Sequence, residues 1–519
     1  MSSASNSIKP TEFTGLRGVF WPVHTFELKK FLPMGIMMMC ILFNYTILRD
    51  TKDTLLQFAP GGGAESFGFL KLYGVTPAAV LYMVVFAKMA NALTREKLFY
   101  AVLVPFLIFF GCFGDLIYPN RDALHMSHET IMAIQAKYPT FHWFVPIIGN
   151  WSFSVFYILS ELWGSVILSM LFWQFANEIT KVEEAKRFYG LFGMIGNVGL
   201  LFSGWAIIHG AGMSKLKEAT GMTTAEAWGG NISFLMNMVV VSGLLVAGIY
   251  YWMNRNVLTD ARFYEAGQTA GKSKKSKPKL SLGESFKHII SSPYLGLILA
   301  IVMAYGLAIN LVEGVWKGQI KIAFPNPNDY NAFMGKFSAI TGAATITLMI
   351  LGNNILRRAS WKTASIITPI MVLVTSSLFF SFIWYSNQAS PMDAFMGTTL
   401  VMGAVIIGLV QNVLSKGTKY SLFDSTKQMA YIPLDQELKV KGQAAVEVIG
   451  GRGGKSGGAL IQSTMLMIVG GGASLASLVH ILGPIVIVIA VMWLFSVLGL
   501  SKRFEALKIQ RAEEAKAAA

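Results

Sequence analysis

Long apolar segments alternate with short polar connectors along almost the whole chain. Twelve segments are long enough to cross a bilayer as helices, because about 20 residues at roughly 1.5 Å rise each span the hydrocarbon core. They lie at residues 31–57, 68–93, 97–118, 144–177, 186–209, 231–253, 292–316, 331–355, 361–386, 394–415, 440–469 and 474–500. The pattern therefore predicts an all-α membrane protein with twelve transmembrane helices.

One long polar connector divides these segments into six and six. It covers residues 254–291 and contains a run of lysines between positions 272 and 279. Two six-helix halves around such a linker are typical of secondary transporters built from repeats. We predict an N-terminal tail at 1–30, a first half at 31–253, a basic linker at 254–291, a second half at 292–500 and a C-terminal tail at 501–519.

The fifth segment of each half is rich in glycine. Five glycines lie between Gly190 and Gly204, and six lie between Gly450 and Gly458. Small residues let membrane helices approach closely. Alternating access requires helix surfaces that can move past one another in this way.

The composition agrees with a membrane protein, and the charges predict its orientation. Hydrophobic residues make up 54% of the chain and charged residues 14%, whereas soluble domains carry about a quarter charged residues. The net charge of +15 lies largely in short connectors on one side of the predicted bundle. Basic connectors stay cytoplasmic, so we expect both termini in the cytoplasm, a bacterial inner membrane, no cleavable targeting segment and no nucleic-acid partner.

Few residues could bind a metal ion or a covalent cofactor. The only cysteines, Cys40 and Cys112, both lie in apolar segments, and the seven histidines show no metal-binding spacing. The sequence therefore predicts neither a disulfide framework nor a metal site, and we expect no cofactor.

Four of the charged residues inside the predicted helices stand out, because a charge near the bilayer centre is unfavourable by about 2.5 to 3.5 kcal/mol or more. They are Lys71, Glu161, Glu313 and Lys455. Intramembrane charges usually mark a substrate pathway and face the bundle interior. We therefore predict that these four contact the substrate. The alternative interpretation is that they form buried ion pairs that only fix the register of the helices.

A second group of charges, Arg49, Asp50, Lys52 and Asp53, lies at the end of the first apolar segment. At the end of a span such residues can pair locally at the membrane surface, or the cations can turn inward. We include Arg49 among the candidate substrate-binding residues, and both interpretations stay open for Arg49 and Lys52.

Together, the candidate cations suit a polyanionic substrate. Lys71, Lys455 and Arg49 would present several charged donors to a diphosphate or triphosphate. Glu161 and Glu313 could pair with these cations in the empty site and be displaced by the phosphate chain. Such a competition favours obligatory exchange.

The glycine-rich run around Lys455 is not a phosphate loop. That motif requires a glycine six residues before its lysine and a preceding strand. Ile449 occupies this position, and the surrounding segment reads as a helix. We therefore expect that the protein is not an enzyme and does not hydrolyse nucleotides.

Five segments resemble the nucleotide transporter family of plastids and obligate intracellular bacteria. They are residues 40–53, 161–165, 309–313, 431–435 and 454–460, and the likeness extends over about residues 31–500. Within that family, the chain is similar to the ADP/ATP translocases of the chlamydial type. The resemblance implies a major-facilitator-like fold, import of ATP from a host cell in exchange for ADP, and functional charges at Lys71, Glu161, Glu313 and Lys455.

Some features stay open under this resemblance. The implied substrates are ATP and ADP, with phosphate as an additional candidate that would accompany ADP. Other relatives carry other nucleotides or NAD, some by proton symport, so a proton-coupled importer of the same fold is the alternative. The aromatic residue that contacts the base is not identified. We expect a monomer in the lipid bilayer.

Overall fold

The computed structural model describes residues 21–180, 182–260, 263, 292–389, 394–395, 397–434 and 443–517. Twelve long helices follow one another within these residues. They are α1 (Leu28–Phe58), α2 (Ser66–Ala92), α3 (Arg95–Ile117), α4 (Trp151–Ile179), α5 (Val182–Ala219), α6 (Thr224–Asn256), α7 (Pro293–Ala323), α8 (Pro327–Arg358), α9 (Trp361–Ser386), α10 (Leu400–Ala430), α11 (Gln443–Val469) and α12 (Val479–Ala517).

Shorter elements lie in the connectors. Helices at Arg121–Leu124, His128–Lys137 and Val145–Gly149 lie between α3 and α4. A small antiparallel hairpin, Ala394–Phe395 with Thr398–Thr399, precedes α10. Within the described residues the fold is thus almost entirely helical, as predicted.

Eleven of the long helices in the described residues are apolar enough to cross a membrane by length and composition. The remaining one, α11, has 27 residues and is about 40 Å long at 1.5 Å per residue. Its glycines, serines and charges make it less apolar than the others. The predicted all-α membrane fold is confirmed.

Local sequence signals explain where several helices begin. Thr223 and Glu226 form a capping box at α6, in which each side chain accepts a hydrogen bond from the other residue's backbone N–H. Proline follows a capping serine at the start of α7 and a capping asparagine at the start of α8. These caps satisfy backbone N–H groups that no helical carbonyl can reach.

Several helices are longer than the sequence predicts. Helix α7 continues to Ala323 instead of 316, α10 continues to Ala430 instead of 415, and α12 continues to Ala517. Helix α4 begins at Trp151 rather than 144. The predicted end of α10 is wrong because Lys416 and Lys419 pair with carboxylates in the protein, so the helix need not stop before them. Most of the predicted linker at 254–291 lies outside the described residues.

Each half has its own hydrophobic core, and the second core extends into the first half. The first core is built from residues between Val23 and Phe263. The second core combines residues between Tyr294 and Phe504 with first-half residues, among them Leu56, Phe67 and Tyr157. We call the membrane side on which α1 begins and α12 ends the termini side, and the opposite side the far side. Since α1 ends on the far side and α2 begins there, the halves pack together on the far side.

Helices α5 and α8, which belong to opposite halves, approach each other closely. A Cβ atom at Gly204 would lie 2.6 Å from the carbonyl oxygen of Gly335 and 2.8 Å from the Cβ of Ala339. Only glycine at position 204 allows the two backbones to come this close. Gly204 is therefore a position at which glycine allows two helices to pack closely, as predicted for this glycine-rich segment.

We expect Gly204→Leu to lower the thermal stability of the detergent-solubilised protein, because overpacking at a tight contact is unfavourable by about 1–3 kcal/mol. Gly212→Leu, on the same helix, is the matched control, since no atom lies within 4 Å of a Cβ there. Thermal unfolding monitored by circular dichroism gives the comparison. Equal melting temperatures for the two variants would refute a close contact at Gly204.

Candidate binding site between the two halves

Charged side chains from both halves meet in the interior of the bundle. We call this set the charge cluster. It consists of Arg49, Asp50, Lys52 and Asp53 on α1, Lys71 on α2, Glu161 on α4, Glu313 and Lys317 on α7, Lys416 on α10 and Lys455 on α11.

Lys52 holds the first-half carboxylates together. Its Nζ lies 2.7 Å from Oδ1 of Asp53 and 3.0 Å from Oε1 of Glu161. The same ammonium lies 3.8 Å from the centre of the Tyr157 ring. The Lys52 side chain is 4% exposed. The interpretation of Lys52 as part of a local surface pair is therefore wrong, because helix α1 carries it into the bundle interior.

Asp53 joins the two halves. Its second oxygen, Oδ2, lies 2.8 Å from Nζ of Lys317 on α7. Lys317 also lies 3.7 Å from Glu313, which in turn pairs at 2.8 Å with Lys416 on α10. A chain of alternating charges thus runs from α1 through α7 to α10. Because Asp53 is 1% exposed and Lys317 8% exposed, water screens this bridge little.

A second bridge runs through Ser338 on α8. Arg49 donates from Nη2 to Ser338 Oγ at 2.7 Å, and Ser338 donates to Asp50 Oδ2 at 2.7 Å. Arg49 also pairs with Asp50 through Nε at 2.8 Å. Arg49 therefore lies at the interface between the halves, which supports its interpretation as an inward-facing cation.

Lys71 begins a widened turn of π-helix at Lys71–Val75. Such turns insert an extra residue into a helix and occur often at functional sites. The Lys71 ammonium donates to Oδ1 of Asn310, across the interface, at 3.0 Å. Among the described residues, no carboxylate lies within ion-pair distance of Lys71. The carboxylates of Glu161 and Glu313 interact with it electrostatically from a longer distance.

Lys455 lies at the middle of α11 and is exposed. It interacts electrostatically with Tyr45, Glu161 and Tyr420, which come from three other helices. A Cβ at Gly454 would lie 3.0 Å from the Cα of Gly306, so α11 and α7 touch directly beside this lysine. In the part of the chain that the structure describes, Lys455 has no ion-pair partner either.

The cluster carries more positive than negative charge. Its six cations are Arg49, Lys52, Lys71, Lys317, Lys416 and Lys455, and its four anions are Asp50, Asp53, Glu161 and Glu313. The excess is two positive charges. In an interior of low effective dielectric, such an excess attracts a polyanion strongly. A diphosphate or triphosphate has the charge and the oxygen acceptors to match it.

Direct contacts seal the far side of the cluster. Trp143 donates from Nε1 to the carbonyl of Ala473 at 2.8 Å, and the backbone N–H of Leu475 donates to Glu65 at 3.0 Å. Lys321 donates to the Gln57 and Gly62 carbonyls across the same interface. Near the termini side, the pairs Arg95–Glu178 and Lys419–Asp424 each stay within one half. Lys455, at the middle of α11, is exposed.

We expect the seal to tighten as the pH falls. Glu65 lies in the connector between α1 and α2, and burial raises its pKa above the usual range. A raised pKa means that the sealed state favours the neutral carboxyl, so its contribution is present at low pH and is lost as the pH rises through that pKa. Spin labels at Lys137→Cys and Ser477→Cys, measured from about pH 8 to about pH 5, should show a growing short-distance population.

Glu65→Gln is the control for this titration, because the amide cannot ionise but still accepts the Leu475 hydrogen bond. In that variant the distance distribution should no longer change with pH. A pH response of the same size in Glu65→Gln would rule out Glu65 as the titrating group.

All five candidate residues from the sequence lie in the charge cluster, namely Lys71, Glu161, Glu313, Lys455 and Arg49. Their role as substrate contacts stays a prediction. Sequence reasoning did not select Lys317 and Lys416, which lie just beyond the predicted ends of their helices. The spacing of Glu313 and Lys317, four residues apart on α7, was a signal that could have identified Lys317.

The sequence matches a family model described as TLC ATP/ADP transporter over residues 6–504. A similar protein is ADP,ATP carrier protein 1 of Chlamydia trachomatis serovar D, which is 51% identical over 97% of this chain and 94% of the relative. ADP,ATP carrier protein 1 of Rickettsia prowazekii is 44% identical over 97% of this chain and 99% of the relative. The chloroplastic ADP,ATP carrier protein 1 of Arabidopsis thaliana is 44% identical over 94% of this chain and 76% of the relative.

Two solved structures share the fold. A bacterial homologue of the iron transporter ferroportin, in an inward-facing state, matches with a TM-score of 0.57 at 11% identity, over 92% of this chain and all of that one. A D-xylose-proton symporter matches with a TM-score of 0.52 at 12% identity, over 90% of this chain and 97% of that one. At such identities the likeness concerns the architecture alone.

Proposed function

The chain belongs to the TLC ATP/ADP transporter family, and from this premise we propose that it exchanges ATP for ADP across a membrane by alternating access. The observation that carries the proposal is the charge cluster. It lies between two halves, is sealed on one side and holds two positive charges in excess.

In this mechanism the phosphate chain competes with the carboxylates of the cluster. Lys71 and Lys455 bind phosphate oxygens first, because within the described residues neither forms a direct ion pair with a carboxylate. The ion pairs Glu161–Lys52 and Glu313–Lys416 then weaken. The phosphates supply the negative charge that the displaced carboxylates had provided, so the cations stay compensated.

Exchange follows because the empty cluster ties the halves together. Asp53–Lys317 and Lys71–Asn310 cross the interface on the far side of the site. A bound nucleotide weakens these ties and so favours opening of the far side, because a ligand shifts a conformational equilibrium only through its different affinity for the two states. Without a nucleotide, the ties hold and the site does not change sides.

The orientation is part of the proposal. We assign the termini side to the cytoplasm and the membrane to the inner membrane of a bacterium, with ATP entering from the far side and ADP leaving. Such a direction would supply energy from a host cell. The nucleotide leaves chemically unchanged, since the protein acts as a carrier and not as an enzyme.

Counter-exchange in liposomes tests the proposal. Purified protein should take up labelled ATP when ADP is inside and take up almost none when the liposomes are empty. Loading ADP with and without labelled phosphate determines whether phosphate accompanies ADP. The recovered label should still be ATP by chromatography. Uptake into empty liposomes that an uncoupler abolishes would favour the proton-coupled importer instead.

A further inference from the structure

Two tyrosines from opposite halves lie next to the charge cluster, on its termini side. Tyr45 precedes Arg49 by four residues on α1, and Tyr420 follows Lys416 by four residues on α10. The two tyrosines interact electrostatically with each other and with Lys455. On each helix, about one turn therefore separates the tyrosine from a cation of the cluster along the helix axis.

Tyr420 lies on α10 at the border between the exposed apolar side of the helix and the side that carries Lys416. The exposed apolar residues of α10, Ile406 and Val410, lie four residues apart on one side of the helix. At about 100° per residue, Tyr420 lies about 40° from Lys416 on one side and about 40° from Ile406 on the other. Its electrostatic interactions with Tyr45, which belongs to the other half, and with Lys455 place Tyr420 near the interface between the halves.

A widened π-turn at Lys419–Phe423 presents the Tyr420 ring. The next three residues of this turn, Ser421 to Phe423, are buried. Ser421 packs closely on α8, because a Cβ atom added at Gly352 would lie 2.9 Å from the Cβ of Ser421. Tyr420 is 44% exposed, and Nζ of Lys419 lies 4.3 Å from its ring centre. The turn is thus anchored on one side while it holds an aromatic face open on the other.

We propose that Tyr45 and Tyr420 bind the base of the nucleotide between them, with the phosphate chain lying toward the far side in the charge cluster. The inference rests on the proposed function and assigns its specificity-determining residues. A purine presents two π faces, so one ring from each half can stack on it. The base then bridges the halves, which makes the aromatic contacts sensitive to the movement of one half against the other.

Competition with two ligands tests this assignment. Labelled ADP exchange is inhibited by unlabelled ATP or by inorganic tripolyphosphate, which has the phosphate chain but no base. Tyr420→Ala should raise the ATP concentration for half inhibition about tenfold, as expected for the loss of one aromatic stack. The concentration of tripolyphosphate for half inhibition should not change. Tyr420→Trp and Tyr420→Phe should retain the affinity of the parent protein for ATP.

Tyr385→Ala is the matched control, since Tyr385 is an exposed tyrosine at the end of α9, away from the cluster. Size-exclusion chromatography checks the fold of each variant. An unchanged ATP affinity in Tyr420→Ala would overturn the assignment. An equal loss for ATP and tripolyphosphate would also overturn it, because that result identifies a gate and not a base contact. If the parent protein does not bind ATP, the proposed function fails instead.

Discussion

Lys71→Gln and Lys455→Gln are each expected to abolish counter-exchange while leaving the protein folded. Both ammoniums face the site without a carboxylate partner within the described residues. Their removal therefore leaves no buried carboxylate uncompensated. Each loses charge-assisted contacts to phosphate, which are worth about 1.5–3 kcal/mol apiece. Initial rates of labelled ATP uptake into ADP-loaded liposomes should fall at least tenfold, which corresponds to about 1.4 kcal/mol.

The matched control for these variants is Lys508→Gln, which removes an exposed lysine from the end of α12. Its uptake rate should equal that of the parent protein. Melting temperatures of all three variants should agree with the parent within about 2 °C, because none of the three substitutions leaves a buried carboxylate without its ion-pair partner. Full uptake by either Lys71→Gln or Lys455→Gln would show that the substituted lysine is not needed for substrate binding.

Asp53→Asn, unlike the lysine variants above, is expected to destabilise the protein strongly. Asp53 is the shared partner of Lys52 and Lys317, and all three side chains are at most 8% exposed. Removing one member of a buried ion pair leaves an uncompensated charge, at a loss of about 3–5 kcal/mol. Thermal unfolding in detergent should show a large decrease in melting temperature, and expression in membranes should decrease with it.

The double variant Asp53→Asn with Lys317→Gln separates charge from packing. It removes one negative and one positive charge together, so most of the stability should return. Transport should stay impaired, because the bridge between the halves is still missing. If the double variant is as unstable as Asp53→Asn alone, the Asp53–Lys317 pair is not what stabilises the interface.

Much of the fold can be predicted from the sequence because the length of an apolar segment is a strong signal of a transmembrane helix. A segment must be about 20 residues long and largely uncharged to cross a bilayer. The described helices accordingly lie where the apolar segments are. Helix ends are less predictable, since a lysine at an apparent end can either face water or turn inward. Lys317 and Lys416 turn inward and pair with Asp53 and Glu313, so α7 and α10 continue beyond them.

The candidate site was partly predictable because charged residues are rare in membrane-spanning segments. Lys71, Glu161, Glu313 and Lys455 lie within apolar segments, where a charge is unfavourable enough to require an explanation. What the sequence does not contain is the partner of each charge. Glu161 pairs with Lys52 and not with Lys71 or Lys455 within the described residues. Only the packing of α1 against α4 brings that pair together.

The pairing pattern suggests how loading and movement are coupled. Glu313 has two lysine partners, one on its own helix and one on α10. A phosphate chain beside it can replace its charge at one lysine while the other stays paired. The cluster can therefore accept a polyanion in steps, without a fully unpaired charge at any stage. We expect this property of a transport site.

A structure of the protein with ATP bound tests the central claim most directly. Electron cryo-microscopy should show the phosphate chain between the two halves, within hydrogen-bond distance of Lys71 and Lys455. Glu161 or Glu313 should then have moved away from its lysine partner. Nucleotide bound outside the interface, with the Lys52–Glu161 and Lys416–Glu313 pairs intact, would contradict the account.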